Sequence, residues 1–137
     1  MAFTMRQVEY YFTTVKDQPG EAYELLSLLE DMGVNLLAFT AVPVGPNSTQ
    51  LTLFPEDPLH LKSQTGKSGM TLDGPHLAIL VQGDDELGAL VEIHRKIFEA
   101  QVNVYASSGV ADNKGSYGYL IYVKPDDFER AAQALNL

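Results

Sequence analysis

The sequence predicts an α+β fold made of two copies of one small unit, each running strand, helix, strand, strand, helix. Three observations carry this. Displaced by 68 residues, the chain matches itself, so that Asp17, Gly20, Val34, Asn35, Leu51 and Leu53 fall on Asp85, Gly88, Val102, Asn103, Tyr119 and Ile121. In each half a glycine is followed fifteen residues later by an asparagine. Between them the apolar residues recur with helical spacing, and strand-like runs lie on both sides. A repeat of that length is too long for a solenoid unit and long enough for a small domain. The expected organisation is therefore a pseudo-symmetric pair of domains, 1–72 and 73–137.

In the first copy, Val8 to Val15 is rich in aromatic and β-branched residues and ends at Lys16-Asp17-Gln18-Pro19-Gly20, which is turn chemistry. Pro19 suits a first helical turn, and Ala22, Leu25, Leu26 and Leu29 then follow at i, i+3, i+4 and i+7. Gly33 supplies the stop. Val34 to Val42 predicts a second strand, Pro43 to Asn47 a hairpin tip and Thr49 to Phe54 a third strand. Asp57-Pro58 opens a poorly amphipathic stretch. Ser63 to Gly69, small and polar, reads as a mobile segment between the units. Met70 to Leu72 is the candidate closing strand, ahead of an Asp73-Gly74-Pro75 break.

The second copy repeats the order. His76 to Val81 predicts a buried strand, and Asp84-Asp85-Glu86 sets acids ahead of a helix carrying Leu90, Ile93, Ile97 and Phe98. Val102 to Val110 and Tyr117 to Val123 form a hairpin around Asp112-Asn113-Lys114-Gly115. Pro125 to Leu135 predicts a last helix with Phe128, Ala131, Ala132 and Leu135 on one side. No closing strand follows, so the second copy either lacks one or borrows one from Ala2 to Met5. The order is that of a ferredoxin-like, split βαβ unit, with helices on one face of an antiparallel sheet.

Composition narrows the function classes. Eighteen Asp and Glu stand against nine Lys and Arg, a formal net charge of -9 with no basic cluster. A nucleic-acid or anionic-membrane surface is electrostatically disfavoured. The absence of cysteine excludes disulfides and thiolate metal sites. With no long apolar run and no signal-like start, a soluble, cytoplasmic protein is expected. A unit of about 65 residues alone would be marginally stable, so the two are expected to pack on each other.

Catalytic and metal motifs fail one by one. His60, His76 and His94 have no ligand spacing with other ligands, and none falls on another histidine at the repeat offset. Gly66-Lys67-Ser68 resembles the end of a phosphate loop, but Leu61 stands where that loop needs glycine. No Gly-x-Ser-x-Gly elbow exists. Tyr10, Tyr11, Tyr117, Tyr119 and Tyr122 fall in strands, where a base-stacking platform is opposed by the acid excess.

Asp17-Gln18-Pro19-Gly20 after a strand, a leucine helix, then Gly33-Val34-Asn35-Leu36 opening the next strand resembles the ACT domain pattern. The second copy keeps Asp85, Gly88 and Val102-Asn103-Val104. It departs with Glu86-Leu87 for Gln18-Pro19 and Gln101 for Gly33. The resemblance spans nearly the whole chain as two tandem domains. It implies a regulatory module that binds a small metabolite, most often an amino acid, at an interface between two such domains. Carried over by residue, the implied ligand contacts are Asp17, Gln18, Gly20 and Asn35, with Asp85, Glu86, Gly88 and Asn103.

The residue chemistry agrees with that assignment. A helix N-terminus offers unpaired N–H groups and a partial positive charge to a carboxylate, and glycine allows close backbone approach. Asparagine offers donor and acceptor, and aspartate can receive an ammonium. Structural roles stand beside these: the glycines letting the helix sit near the sheet, the asparagines satisfying the turn, the aspartates serving as helix-start charges.

The function expected is small-molecule sensing, without a catalytic step, cofactor or metal, in a homo-oligomer that passes its signal to itself or to a regulated protein partner. The alternatives are a ligand-free dimerisation module and, further off, a small enzyme on the same fold. The first copy, with the fuller Asp-Gln-Pro-Gly motif, is expected to matter more.

Overall fold

The computed structural model of the chain describes residues 3–137 and contains six strands and four helices among them. The order is β1 (Phe3–Lys16), α1 (Glu21–Asp31), β2 (Leu36–Pro43), β3 (Ser48–Pro55), α2 (Pro58–Ser68), β4 (Asp73–Asp84), α3 (Val91–Glu99), β5 (Ala106–Ala111), β6 (Ser116–Tyr122) and α4 (Pro125–Ala134). This is the α+β, split βαβ arrangement expected from the sequence. Two compact units form: Glu9–His76, and the described residues up to Val8 with Leu77–Leu137. Both β1 and β4 are divided by that boundary. Strand order is β2-β3-β1-β4 in the Glu9–His76 unit and β1-β4-β6-β5 in the other.

Each unit therefore closes its sheet with part of a long strand. In the Glu9–His76 unit the closing strand is the start of β4, Asp73–His76, and not Met70 to Leu72. The Asp73-Gly74-Pro75 signal reads as a break, yet the strand runs through it because two backbones meet there. A Cβ on Gly74 would lie 2.8 Å from the Tyr10 carbonyl oxygen and 2.7 Å from the Tyr11 ring. A glycine inside a strand marks such an approach. In the other unit the closing strand is borrowed from the beginning of β1. The Thr4 hydroxyl donates to the Gln82 carbonyl at 3.4 Å, and Phe3 and Met5 pack against the core. Ala2, the first residue of the expected Ala2 to Met5 stretch, lies outside the described residues.

The duplication extends to individual hydrogen bonds. Tyr11 pairs with Leu53 and Lys16 with Ser48, while Ile79 pairs with Ile121 and Asp84 with Ser116, at the same 68-residue offset. The Asp17 N–H donates to the Asn47 carbonyl and the Asp85 N–H to the Gly115 carbonyl, both at 2.9 Å. Helix ends match as well. Gly33 (φ 70°) donates to Glu30 O, and Val34 donates to Leu29 O; Gln101 (φ 60°) donates to Phe98 O, and Val102 donates to Ile97 O. Both are Schellman endings, with the apolar pairs Leu29/Val34 and Ile97/Val102 buried. Gln101 thus adopts the left-handed conformation in which Gly33 stands in the first copy.

Ser63 to Gly69 is not a mobile connector but the second half of α2 and its cap. The Asp57 carboxylate accepts from the His60 N–H at 3.2 Å, Pro58 starts the helix, and Gly69 (φ 75°) ends it. Capping and the burial of Leu61 offset the weak helix propensity of its polar residues.

In the Glu9–His76 unit, Leu29 of α1 and Leu61 of α2 pack on Tyr11 and Leu53. In the other, Ile93, Ile97, Phe128, Ala131 and Ala132 pack on Ile79, Val81, Tyr119 and Ile121. Sheet residues two apart supply each core, so both helices of a unit cover one face. Not every periodic position is used: Leu26 is 38% exposed and Phe98 is 71% exposed.

Candidate functional site

The loops from β1 to α1 and from β4 to α3 share a left-handed glycine, but Gly20 is the N-cap of α1 whereas Gly88 lies in a turn ahead of Leu90, the N-cap of α3. Gly20 takes φ 92° and Gly88 φ 78°, a region that favours glycine. A Cβ on Gly20 would meet no atom within 4 Å, and on Gly88 only Val91 at 3.9 Å. Close packing of helix on sheet is therefore not what these positions require. They require the left-handed conformation, and they leave the backbone open to approach. Neither α1 nor α3 has a side-chain N-cap. Around the first loop, Asp17, Gln18 and Gly20 are exposed, and the Gln18 amide donates to Glu21 at 2.8 Å.

Asn35 and Asn103 lie elsewhere in their own units. The Asn35 side-chain amide donates to the Glu56 carboxylate at 2.7 Å, and the Asn35 backbone carbonyl accepts from the Glu56 N–H at 2.9 Å. Asp17 sits at the Ser48 end of β3 and Asn35 at the Pro55 end. An eight-residue strand separates them by roughly 25 Å. Asn103 is likewise near the Tyr122 end of β6, while Asp85 is tied to Gly115 at the other end. Asp17, Gln18 and Gly20 form one group, Asp85, Glu86 and Gly88 another, and neither asparagine joins the group of its own unit.

The second loop borders a cavity of about 730 Å³, bounded by Asp85 to Val91, Gly109 to Ala111 of β5 and Tyr117 to Tyr119 of β6. The cavity is open on its solvent side, and its volume is in the range of small-molecule sites. Two residues shape its floor. Gly109 lets the Tyr119 ring lie over β5, since a Cβ there would come 2.8 Å from that ring. The Tyr119 hydroxyl in turn meets His94 Nε2 at 2.7 Å. Tyr117 differs: its hydroxyl oxygen is buried and has no hydrogen-bond partner among the described residues. Burial first, then the Asp84 and Asp85 carboxylates, push its pKa above the usual phenol value.

Of the residues that line this cavity, the sequence pointed to Asp85, Glu86 and Gly88 as candidates and not to Gly109, Tyr117 or Tyr119. The signal lay in where the copies disagree. At the repeat offset, Ala41, Thr49, Gln50 and Leu51 become Gly109, Tyr117, Gly118 and Tyr119. The cavity belongs to the second copy, although the first carries the fuller loop motif.

No protein-family model matches the chain, and no curated protein matches it. Solved structures do. Protein BT0572 from Bacteroides thetaiotaomicron superposes with a TM-score of 0.79 at 13% identity, covering 96% of this chain and 88% of that one. The ligand-free regulatory subunit of aspartate kinase from Thermus thermophilus gives 0.63 at 12% identity, covering 98% and 94%. A structure of aspartokinase alpha and beta subunits gives 0.55 at 19% identity, covering 100% and 99%. At these identities the likeness concerns the fold, and its span over both copies shows that the chain has the tandem ACT-like fold of such regulatory subunits.

Proposed function

We propose that the chain is a regulatory small-molecule-binding protein that senses an amino acid at its strand-to-helix loops. The observation that carries this is the cavity of about 730 Å³ against the Asp85–Gly88 loop, where the resemblance to ACT domains implies ligand contacts. The regulatory subunits among the structural neighbours support the same reading. Asp85, Glu86 and Gly88 are the proposed contacts in the second copy, and Asp17, Gln18 and Gly20 in the first. Asn35 and Asn103 complete the proposed set as groups that would meet a ligand whose loop comes from another copy of the chain. The mechanism is a population shift: a ligand that prefers one arrangement stabilises it by its differential affinity, and no catalytic step is involved.

A thermal-shift screen against the twenty amino acids tests this. A ligand bound only by the folded form adds RT ln(1 + [L]/Kd), about 2.7 kcal/mol at a hundredfold excess over Kd. Calorimetric titration of the best ligand into Gly88→Val and Gly20→Val then asks which loop holds it. Unchanged affinity in both folded variants would overturn the site assignment.

A second reading, a ligand-free self-association module, has one observation in its favour. Tyr23 and Val42 are 76% and 45% exposed, and their counterparts Val91 and Val110 are 68% and 74% exposed. Under that reading light scattering gives a mass above the 15.0 kDa of one chain, and no amino acid shifts the melting temperature.

A further inference from the structure

The second-copy cavity has a chemical character that its counterpart residues in the first copy do not share. Its charged lining residues, Asp85 and Glu86, are both acidic, and Asp84 stands next to them. Leu87, Leu90, Val91 and Val110 supply apolar surface. Among the residues that line it, one polar group has no hydrogen bond: the Tyr117 hydroxyl, whose oxygen is closed off from solvent, whereas the Tyr119 hydroxyl is already engaged by His94. A buried hydroxyl left without a partner costs free energy, so a site that keeps one gains when a ligand supplies the bond. A cation within reach of two carboxylates is stabilised there, whereas an isolated carboxylate is repelled.

Resting on the ligand-binding reading above, we infer that this cavity recognises its ligand through an ammonium group held by Asp85, Glu86 and the Tyr117 hydroxyl, with an apolar body on the Leu87, Val91 and Val110 side. Tyr117 is then the specificity residue of the second copy. Thr49 occupies its place in the first, so the two copies do not take the same ligand equally. Any carboxylate on the ligand faces solvent and adds little to affinity.

The test pairs amines with carboxylates of matching apolar body. Isoamylamine, phenethylamine, isocaproate and hydrocinnamate are each titrated at neutral pH, beside leucine and phenylalanine, with melting temperature and calorimetry as readouts. The expected result is a shift with an amine and its amino acid and none with the acid. Tyr117→Phe should melt no lower than the wild type when empty, since it removes only an unpaired hydroxyl. It should bind the amine about ten- to a hundredfold more weakly, the loss of one hydrogen bond to a charged group. Asp85→Asn should weaken the amine likewise.

A carboxylate that binds as well as its amine, or an amino acid that binds where its amine does not, overturns the ammonium assignment and leaves the sensing function standing. Unchanged amine affinity in Tyr117→Phe overturns the role of the hydroxyl. If none of the twenty amino acids and none of the four probes shifts the wild type, the sensing function and this inference fall together.

Discussion

Replacing Gly33 by alanine, and Gln101 by glycine, should change stability in opposite directions. Both residues hold the left-handed position that ends a helix, at φ 70° and φ 60°. A left-handed conformation costs a residue with a Cβ about 1–2 kcal/mol, while alanine in place of glycine recovers about 0.4–1 kcal/mol of unfolded-state entropy. Nothing else opposes the change at Gly33, because a Cβ there would make only an ordinary 3.6 Å contact with His60 Nε2. Gly33→Ala should therefore cost about 0.5–1 kcal/mol. Gln101→Gly relieves the same strain and loses the exposed 3.3 Å bond from its amide to the Phe98 carbonyl. Its net effect should lie between neutral and a gain of about 1 kcal/mol.

Urea unfolding measures both, with an unchanged m-value confirming that the denatured state is unaltered. In a chain of this size 1 kcal/mol corresponds to roughly 3–5 °C in melting temperature. A Gly33→Ala variant as stable as the wild type would refute the reasoning. So would a Gln101→Gly variant less stable than Gly33→Ala, because the two Schellman endings would then not be energetically alike.

Three further outcomes are expected. Asn35→Ala should cost about 0.5–1 kcal/mol in urea unfolding through its exposed bond to Glu56, whereas Asn103→Ala should be neutral, because Asn103 is exposed and Lys124 stands where Glu56 does in the first copy. Asp57→Ala should cost about 1 kcal/mol by uncapping α2, and hydrogen exchange should show the loss first at the amides of that helix. At the β5–β6 hairpin tip, the backbone N–H groups of Lys114 and Ser116 hold the Asp112 carboxyl below the usual aspartate range. The folded value is depressed, so the contribution is present above the unfolded pKa and is lost as pH falls through the folded one. NMR titration should show the Lys114 and Ser116 amide shifts moving with a midpoint below that of an unstructured aspartate, and a midpoint at or above it would contradict the hydrogen bonds.

What the sequence determined by itself was the repeat and the order of elements. Helical spacing, turn residues and the doubled glycine-to-asparagine interval are local properties, and a 68-residue offset copies them without reference to tertiary contacts. That is why the offset predicts paired hydrogen bonds as distant as Asp17 to Asn47 and Asp85 to Gly115. Tertiary structure decided the rest. The closing strands come from Asp73–His76 and from the start of β1, because sheet edges are filled by whichever backbone can reach them, and Gly74 admits Tyr10 where Asp73-Gly74-Pro75 carries turn chemistry. The mobile-looking Ser63 to Gly69 is helical because capping and the buried Leu61 outweigh its composition. The candidate site followed the same division. Asp85, Glu86 and Gly88 were legible in the repeated loop, but the cavity beside them depends on a glycine in β5 and tyrosines in β6 that reach the loop only through the strand register. A property of register and packing has no local signature, and in the sequence it left only the positions where the two copies differ.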